Sequence, residues 1–440
     1  MRLETVFECP KEESGLSDDR GKEIQVERPD LLGRTIGQSR GRLLYRAMRA
    51  CGSSRTPSQG AEAAGWALGL WATSATPNTR GSGAWRWRVR SAALDWLLSR
   101  CTFEESRERM AHALANAETH DLSTRELLSL RALIGTLGFF SLTENLLNRA
   151  MDRAIQDFSY SQNRWSARNA FTAHVLRGNF TEAVEPFDYC ARVGTFRDCE
   201  LVSLFLNWCL EDRPKNVADN DVTIIGPGPI GDLGPDFAPD LPVCRVVMPG
   251  VTSWPDGDIV NGRADFAYLN GDTTEWVSSL EKADRSSLVS SFKQVRIKKQ
   301  TFWEGDHAHV SQVYRIKDLF LTGEPNMVPT IIIDQLMRGA SRAFVTGTTF
   351  FIGAEPYRSS ERRHFPKIDS GSDSHGAVDR ESFERCYSHA SHDQIVNRAI
   401  IRHLFEAGRV TGDDKFKNAL LMGNREYLAQ LEADYGAHRR

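Results

Sequence analysis

Between residues 85 and 211 the apolar positions recur at three- and four-residue steps, the period of helices with one buried face. Trp87, Val89, Ala93, Trp96, Leu97 and Leu98 form one stripe; Leu127, Leu130, Leu133, Ile134 and Leu137 form another. Thr102 with Glu105, Ser123 with Glu126 and Ser141 with Glu144 fit reciprocal capping at helix starts. After Arg213-Pro214-Lys215 the pattern changes. Short β-branched or aromatic runs at Asp221–Ile225, Val243–Met248, Ala264–Asn270, Gln294–Lys298 and Ala343–Phe351 predict strands. Helical patterns lie between or after them, at Trp276–Ala283, Thr330–Ala340, Asp393–Ala407, Asp413–Met422 and Arg425–Tyr435. Strands alternating with helices predict an α/β domain with a mainly parallel sheet over 216–440. Residues 1–84 are charged or rich in Ser, Thr, Gly and Pro, and predict a flexible or loosely docked extension with short helices at Leu43–Met48 and Ala61–Trp71.

Within the helical stretch 85–215, Gly138-Phe139-Phe140-Ser141 is echoed forty residues on by Gly178-Asn179-Phe180-Thr181, each followed by a helix. This looks like a helical-hairpin repeat of the tetratricopeptide kind, in which a glycine turn joins two packed helices. Such arrays present surfaces to protein partners.

Composition narrows the class. The chain has 440 residues, 40% hydrophobic and 26% charged, the ordinary mix of globular domains. A net charge of -3 gives no global basic field for nucleic acid. The longest apolar stretch, Ala61–Ala72, is too short to span a membrane, which leaves at most peripheral association. Met1–Pro10 has acids and no apolar run, so a cytoplasmic, reducing compartment is expected for the 8 cysteines, which show no C-x-x-C spacing.

The first predicted strand runs into Gly226-Pro227-Gly228-Pro229-Ile230-Gly231, a literal G-x-G-x-x-G. A dinucleotide site needs a helix opening at that loop, and Pro229, Pro235, Pro239 and Pro242 leave no room for one. A dinucleotide-dependent oxidoreductase is therefore the third reading. Downstream, Asn326-Met327-Val328-Pro329-Thr330 opens a helix that leads into the strand ending Thr346-Gly347. Later, Ser391-His392-Asp393-Gln394 opens another helix, followed by Gly408-Arg409-Val410. This order resembles the sialyltransferase family and its bacterial relatives that use CMP-activated sugars, over roughly 220–435.

The resemblance implies a nucleotide-binding sheet, with Gly226, Pro227, Gly228, Pro329 and Thr330 holding the CMP moiety of the donor and His392 as the catalytic base. It implies a sialic acid or Kdo-type donor, a glycan acceptor, a role in bacterial surface polysaccharide synthesis, and no metal or other cofactor. The chain departs from the family at Gly226-Pro227-Gly228, where asparagine usually follows glycine. It departs again at Arg245–Pro249, which lacks a strand-end asparagine, at Thr330-Ile331-Ile332, and at Asn397, where an acid commonly stands. The residues by themselves suit the chemistry: an acceptor hydroxyl must lose a proton, and histidine titrates near neutrality. His389 is the local competitor of His392. The second reading, from another class, is a non-catalytic interaction protein with a degenerate nucleotide-type fold. Trp85–Arg90 interleaves aromatic and basic residues, Asp306, His307 and His309 could begin a metal site, Arg362, Arg363 and His364 form a basic loop, and Ser370–Gly376 could serve as a lid.

Overall fold

The computed structural model describes residues 84–97, 100–117, 122–211, 220–250, 260, 262–298, 309–353 and 392–435. The features expected over residues 1–83, at Asp306 and His307, and over 354–391, including Arg362, Arg363, His364, Ser370–Gly376 and His389, lie outside the described residues. Among the described residues, the chain begins with seven helices: α1 (Ala84–Leu97), α2 (Phe103–Ala117), α3 (Thr124–Thr136), α4 (Thr143–Tyr160), α5 (Arg164–Arg177), α6 (Phe180–Arg192) and α7 (Cys199–Leu210). Consecutive helices pack on one another as hairpins α1/α2, α3/α4 and α5/α6, with α4 also on α5. The two echoed glycines do the same job. Gly138 and Gly178 sit at φ +88° and +72°, where a left-handed residue closes one helix and turns the chain into the next.

Local capping follows the sequence pattern only in part. Thr102 and Glu105 exchange side-chain and backbone bonds of 3.2 and 2.7 Å, and Ser123 forms its box with Glu126. Ser141 does not cap with Glu144. Its amide and hydroxyl both donate to Glu432 Oε2, at 2.8 and 2.7 Å, because a buried carboxylate nearly three hundred residues on outcompetes the half-exposed local one.

The rest of the chain builds a seven-stranded, all-parallel sheet of order β5-β4-β3-β2-β1-β6-β7. The strands are β1 (Val222–Ile225), β2 (Val243–Val247), β3 (Phe266–Leu269), β4 (Gln294–Ile297), β5 (Val310–Gln312), β6 (Ala343–Thr346) and β7 (Val410–Gly412). Among the described residues six helices accompany it: α8 (Gly271–Ser279), α9 (Lys282–Ser290), α10 (Met327–Met337), α11 (Gln394–Glu406), α12 (Asp414–Leu421) and α13 (Asn424–Tyr435). Both faces are covered, as a parallel sheet requires. Val222, Ile224, Cys244, Val246 and Tyr268 share one apolar cluster with α10, α11 and the helical hairpins. Val247, Ala267, Leu269, Val295 and Ile297 form another with α8 and α9.

Three elements differ from the sequence reading. The run Ala343–Phe351 ends its strand at Thr346, because Gly347 turns at φ +68° and its carbonyl accepts the Gly228 amide at 2.6 Å. The helical stretch 276–283 is two helices, the first capped by Asn270, whose side chain accepts the Thr273 amide at 2.8 Å, and ended by Leu280 in extended conformation. Helix α10 starts at Met327, three residues before Thr330. Pro329 fits in its first turn, where a missing N–H costs nothing.

Candidate functional site

In this strand order the chain steps outward from β1 to β5 on one side, then returns to place β6 against β1. The reversal lies between β1 and β6, and ligands of open parallel sheets bind beyond the strand ends at such a point. The Gly226–Gly228 loop leaves β1 there, and Gly347 leaves β6 beside it. The two turns are bonded together: the Gly226 amide donates to the Thr346 carbonyl at 2.8 Å, and the Gly228 amide to Gly347. Those two amides are thus spent within the protein. A side chain at position 226 would collide with the Gly347 carbonyl, which is the steric reason for glycine there. Pro227 lies between, half-buried. From 226 to 242 the chain forms no helix, so this loop offers no helix N-terminus to a pyrophosphate. It runs instead across β6 and β7, where the Gly231 amide donates to Asp413 Oδ2 at 2.9 Å, next to α12.

His392 lies just before α11, half-buried. Its Nδ1 donates to the Glu324 carbonyl at 3.1 Å. A carbonyl can only accept, so Nδ1 carries the proton and Nε2 carries the lone pair. Burial holds the imidazolium down, and Lys298 and Lys317 push the same way. Together they outweigh the Glu324 carbonyl and carboxylate, so the ring favours its neutral form.

The segment that orients His392 is itself held residue by residue. Lys317 Nζ donates to the Gly323 carbonyl, Asn397 Nδ2 to that of Glu324 at 3.4 Å, and Lys298 Nζ to that of Pro325 at 2.6 Å. Asn397 also donates to the His392 carbonyl and, through Oδ1, accepts the Asn326 amide at 2.8 Å. It therefore joins the starts of α10 and α11. An acid there could accept the Asn326 amide but could not donate to these carbonyls.

Thr330 is brought to this edge only through its helix. It is buried, its hydroxyl donates back to the Asn326 carbonyl at 2.7 Å, and its amide bonds the same carbonyl at 3.2 Å. Pro329 has no amide and is buried. The Asn326 side chain caps none of the α10 amides and donates instead to Gln394 Oε1 at 3.0 Å. His392, the α10 start and the Gly226 loop all lie at the carboxyl edge of the sheet. His392 and the α10 start touch through Glu324–Asn326.

Backbone strain gathers at the same edge. Among the described residues, the non-glycine positions with positive φ are Phe350 at +50°, Phe351 at +70° and Asp393 at +43°. All follow β6, and bulky residues take this conformation only where their surroundings impose it. Tyr427 and Tyr435 of α13 donate to the Phe350 and Phe351 carbonyls at 2.6 and 2.7 Å, and Asp434 accepts the Gly353 amide at 2.8 Å. Asp393 is held from the other direction, by Arg131 of α3. Reading the sequence missed Arg131, Gly323, Glu324, Lys298 and the role of Asn397. Arg131 did leave a signal, a charge set between Leu127 and Ile134 on the apolar face of α3.

His309, the described member of the proposed metal set, lies exposed, and its carbonyl accepts the Val295 amide at 2.8 Å. No group of three His, Cys, Asp or Glu side chains converges among the described residues, and none of their helices is long and apolar enough to cross a membrane. The chain matches no protein family, no curated protein and no solved structure. Its function has therefore to be read from the geometry of this edge.

Proposed function

We propose that the protein is a cytoplasmic glycosyltransferase that takes a sialic acid or Kdo-type sugar from a CMP-activated donor to a glycan hydroxyl, in the synthesis of a bacterial surface polysaccharide. One observation carries this reading: an imidazole fixed by a backbone carbonyl, kept neutral by burial and presenting Nε2 as acceptor, at the carboxyl edge of a parallel sheet. The order of motifs that resembles the CMP-sugar transferases adds the donor class. In the proposed step Nε2 takes the acceptor hydroxyl proton, the acceptor oxygen bonds the anomeric carbon, and the bond from that carbon to the CMP phosphate breaks. CMP leaves with the bonding pair.

The Gly226 and Gly228 amides are committed to Thr346 and Gly347, so this loop contributes shape to the donor site. The departing phosphate is received at the first turn of α10, where Met327 and Val328 carry amides that precede the helical bonding pattern. The same commitment of Gly226 and Gly228 favours a second reading, a non-catalytic interaction protein whose helical hairpins receive a protein partner.

The test is a thermal-shift panel of CMP, UDP, GDP and NAD followed by a donor hydrolysis assay. Under the transferase reading CMP alone raises the melting temperature. His392→Ala then lowers turnover ~10²–10⁴-fold while CMP affinity holds. A shift with NAD selects the oxidoreductase reading; silence across the panel, with no hydrolysis, selects the interaction protein.

A further inference from the structure

We infer that the helical hairpins belong to the catalytic apparatus: Arg131 of α3 is a positioning residue that sets the direction of His392 through Asp393, which rests on the reading of His392 as the base. Arg131 and Asp393 are 262 positions apart, yet their side chains form a two-pronged ion pair, Nη2 to Oδ1 at 2.9 Å and Nη1 to Oδ2. The side chains are 9% and 0% exposed. Arg131 Nε donates to the Thr143 carbonyl at 3.2 Å, so the guanidinium plane is fixed from within the helical region.

Asp393 is the hinge of this arrangement. It directly follows His392, caps α11 by accepting the Val396 amide at 3.4 Å, and stands at φ +43°, ψ +80°. That left-handed backbone decides where the preceding residue points. Gly323 leaves no slack opposite it: a Cβ at 323 would come within 2.5 Å of Asp393 Cβ. A cavity of about 30 Å³ lies beside the pair, lined in part by Arg131, Phe140, Thr143 and Gln394. Without Arg131, Asp393 would be a buried carboxylate that has lost its ion-pair partner and keeps the longer-range pull of Lys317. The relief open to it is a return to ordinary φ, which carries His392 off the Glu324 carbonyl.

The experiment uses the full chain labelled with ¹⁵N-histidine, with the His392 ring assigned from His392→Gln. Arg131→Met removes the fork and keeps the bulk. Asp393→Asn keeps a cap acceptor and a residue tolerant of the left-handed region. The parent should show His392 protonated at Nδ1. Arg131→Met should lose that tautomer signature and, where donor hydrolysis is measured, lower kcat on the order of 10²-fold with CMP affinity unchanged, the scale of an ångström-sized misplacement. Adding Asp393→Asn removes the stranded charge and should restore the signature in part, including when Arg131→Met alone does not fold. An unchanged His392 signal in folded Arg131→Met overturns the inference. So does a double variant no closer to the parent than the single one. If the parent has no hydrolysis but its His392 signal responds as described, the positioning stands and the transferase reading falls. If the parent hydrolyses donor and Arg131→Met matches it, the inference falls and the transferase reading stands.

Discussion

Gly323 is the position at which a single methyl group should report on the whole site. It sits at φ +71°, and a Cβ there would lie 2.5 Å from Asp393 Cβ and 3.0 Å from both Asp393 N and His392 C. Gly323→Ala therefore meets two separate costs. The left-handed backbone alone costs a non-glycine residue about 1–2 kcal/mol. The methyl group must also open its contacts to the ordinary 3.4–4 Å, and such overpacking costs about 1–3 kcal/mol. The sum is about 2–5 kcal/mol, a large part of the ~5–15 kcal/mol that holds a domain together. Gly194 isolates the first cost, for it stands at φ +63° with nothing within 4 Å of where a methyl group would sit. Gly194→Ala should lose only the backbone part. The assay is urea unfolding of both variants at equal m-value, with the His392 ring signal followed in parallel. Gly323→Ala should be the less stable by about 1–3 kcal/mol, and its His392 should leave the Glu324 carbonyl. Equal losses in the two variants would show that Gly323 and Asp393 do not press on each other, and the tight packing assigned to this edge would be wrong.

Further outcomes follow from the same structure. Asp334 accepts from Arg296 Nε at 3.0 Å and Nη2 at 2.5 Å, from Tyr268 Oη at 2.7 Å and from the Tyr314 amide at 3.1 Å, all beneath α10. Asp334→Ala should cost about 3–5 kcal/mol, read by urea unfolding, and Arg296→Met with Asp334→Leu should cost less than Asp334→Ala; a double change no milder would refute the network. Burial lowers the titration of His174, His392 and His403. Their folded values lie below the unfolded value of ~6.5, so their contribution to stability is fully present above that pH and is lost as pH falls from it through the lower folded values. Urea midpoints should drop between about pH 7.5 and 5.5, and His403→Gln should flatten the slope. Burial pushes the Cys190 thiol up to about 12 and leaves it no exposed surface, so it should resist alkylation of the native protein at about pH 8; rapid labelling there, read by mass spectrometry, would contradict that burial.

What the sequence made legible was whatever each element settles by itself. Strand β1 read clearly because both its faces are buried and Val222–Ile225 is β-branched throughout. Strand β5 did not, because Val310–Gln312 is a three-residue edge strand with half-exposed side chains and no apolar run. The capping box at Ser123 formed from local residues, and the one at Ser141 failed because Glu432 takes both the Ser141 amide and hydroxyl. The site divides along the same line. Glycine at 226 could be read as a turn, but the fate of its amide was decided at Thr346, on a strand that follows more than a hundred residues later. His392 could be placed at a helix start from its neighbours. Its tautomer could not, since the carbonyl that fixes it belongs to Glu324, 68 positions away.

Asp393 shows why this division arises. Read locally, Asp after His at a helix start is a capping residue, and it does cap α11. Its left-handed backbone is a different matter, because no local pattern requires it: aspartate visits that region at a cost and returns when free to do so. Here two remote residues hold it, Arg131 pairing with the carboxylate from the helical hairpins and Gly323 giving up its side chain to make room. Each is ambiguous alone, one a stray charge on an apolar stripe and the other a glycine in a loop. Only the fold sets them on either side of one residue, so the direction of His392 is a property of three segments that the sequence lists far apart.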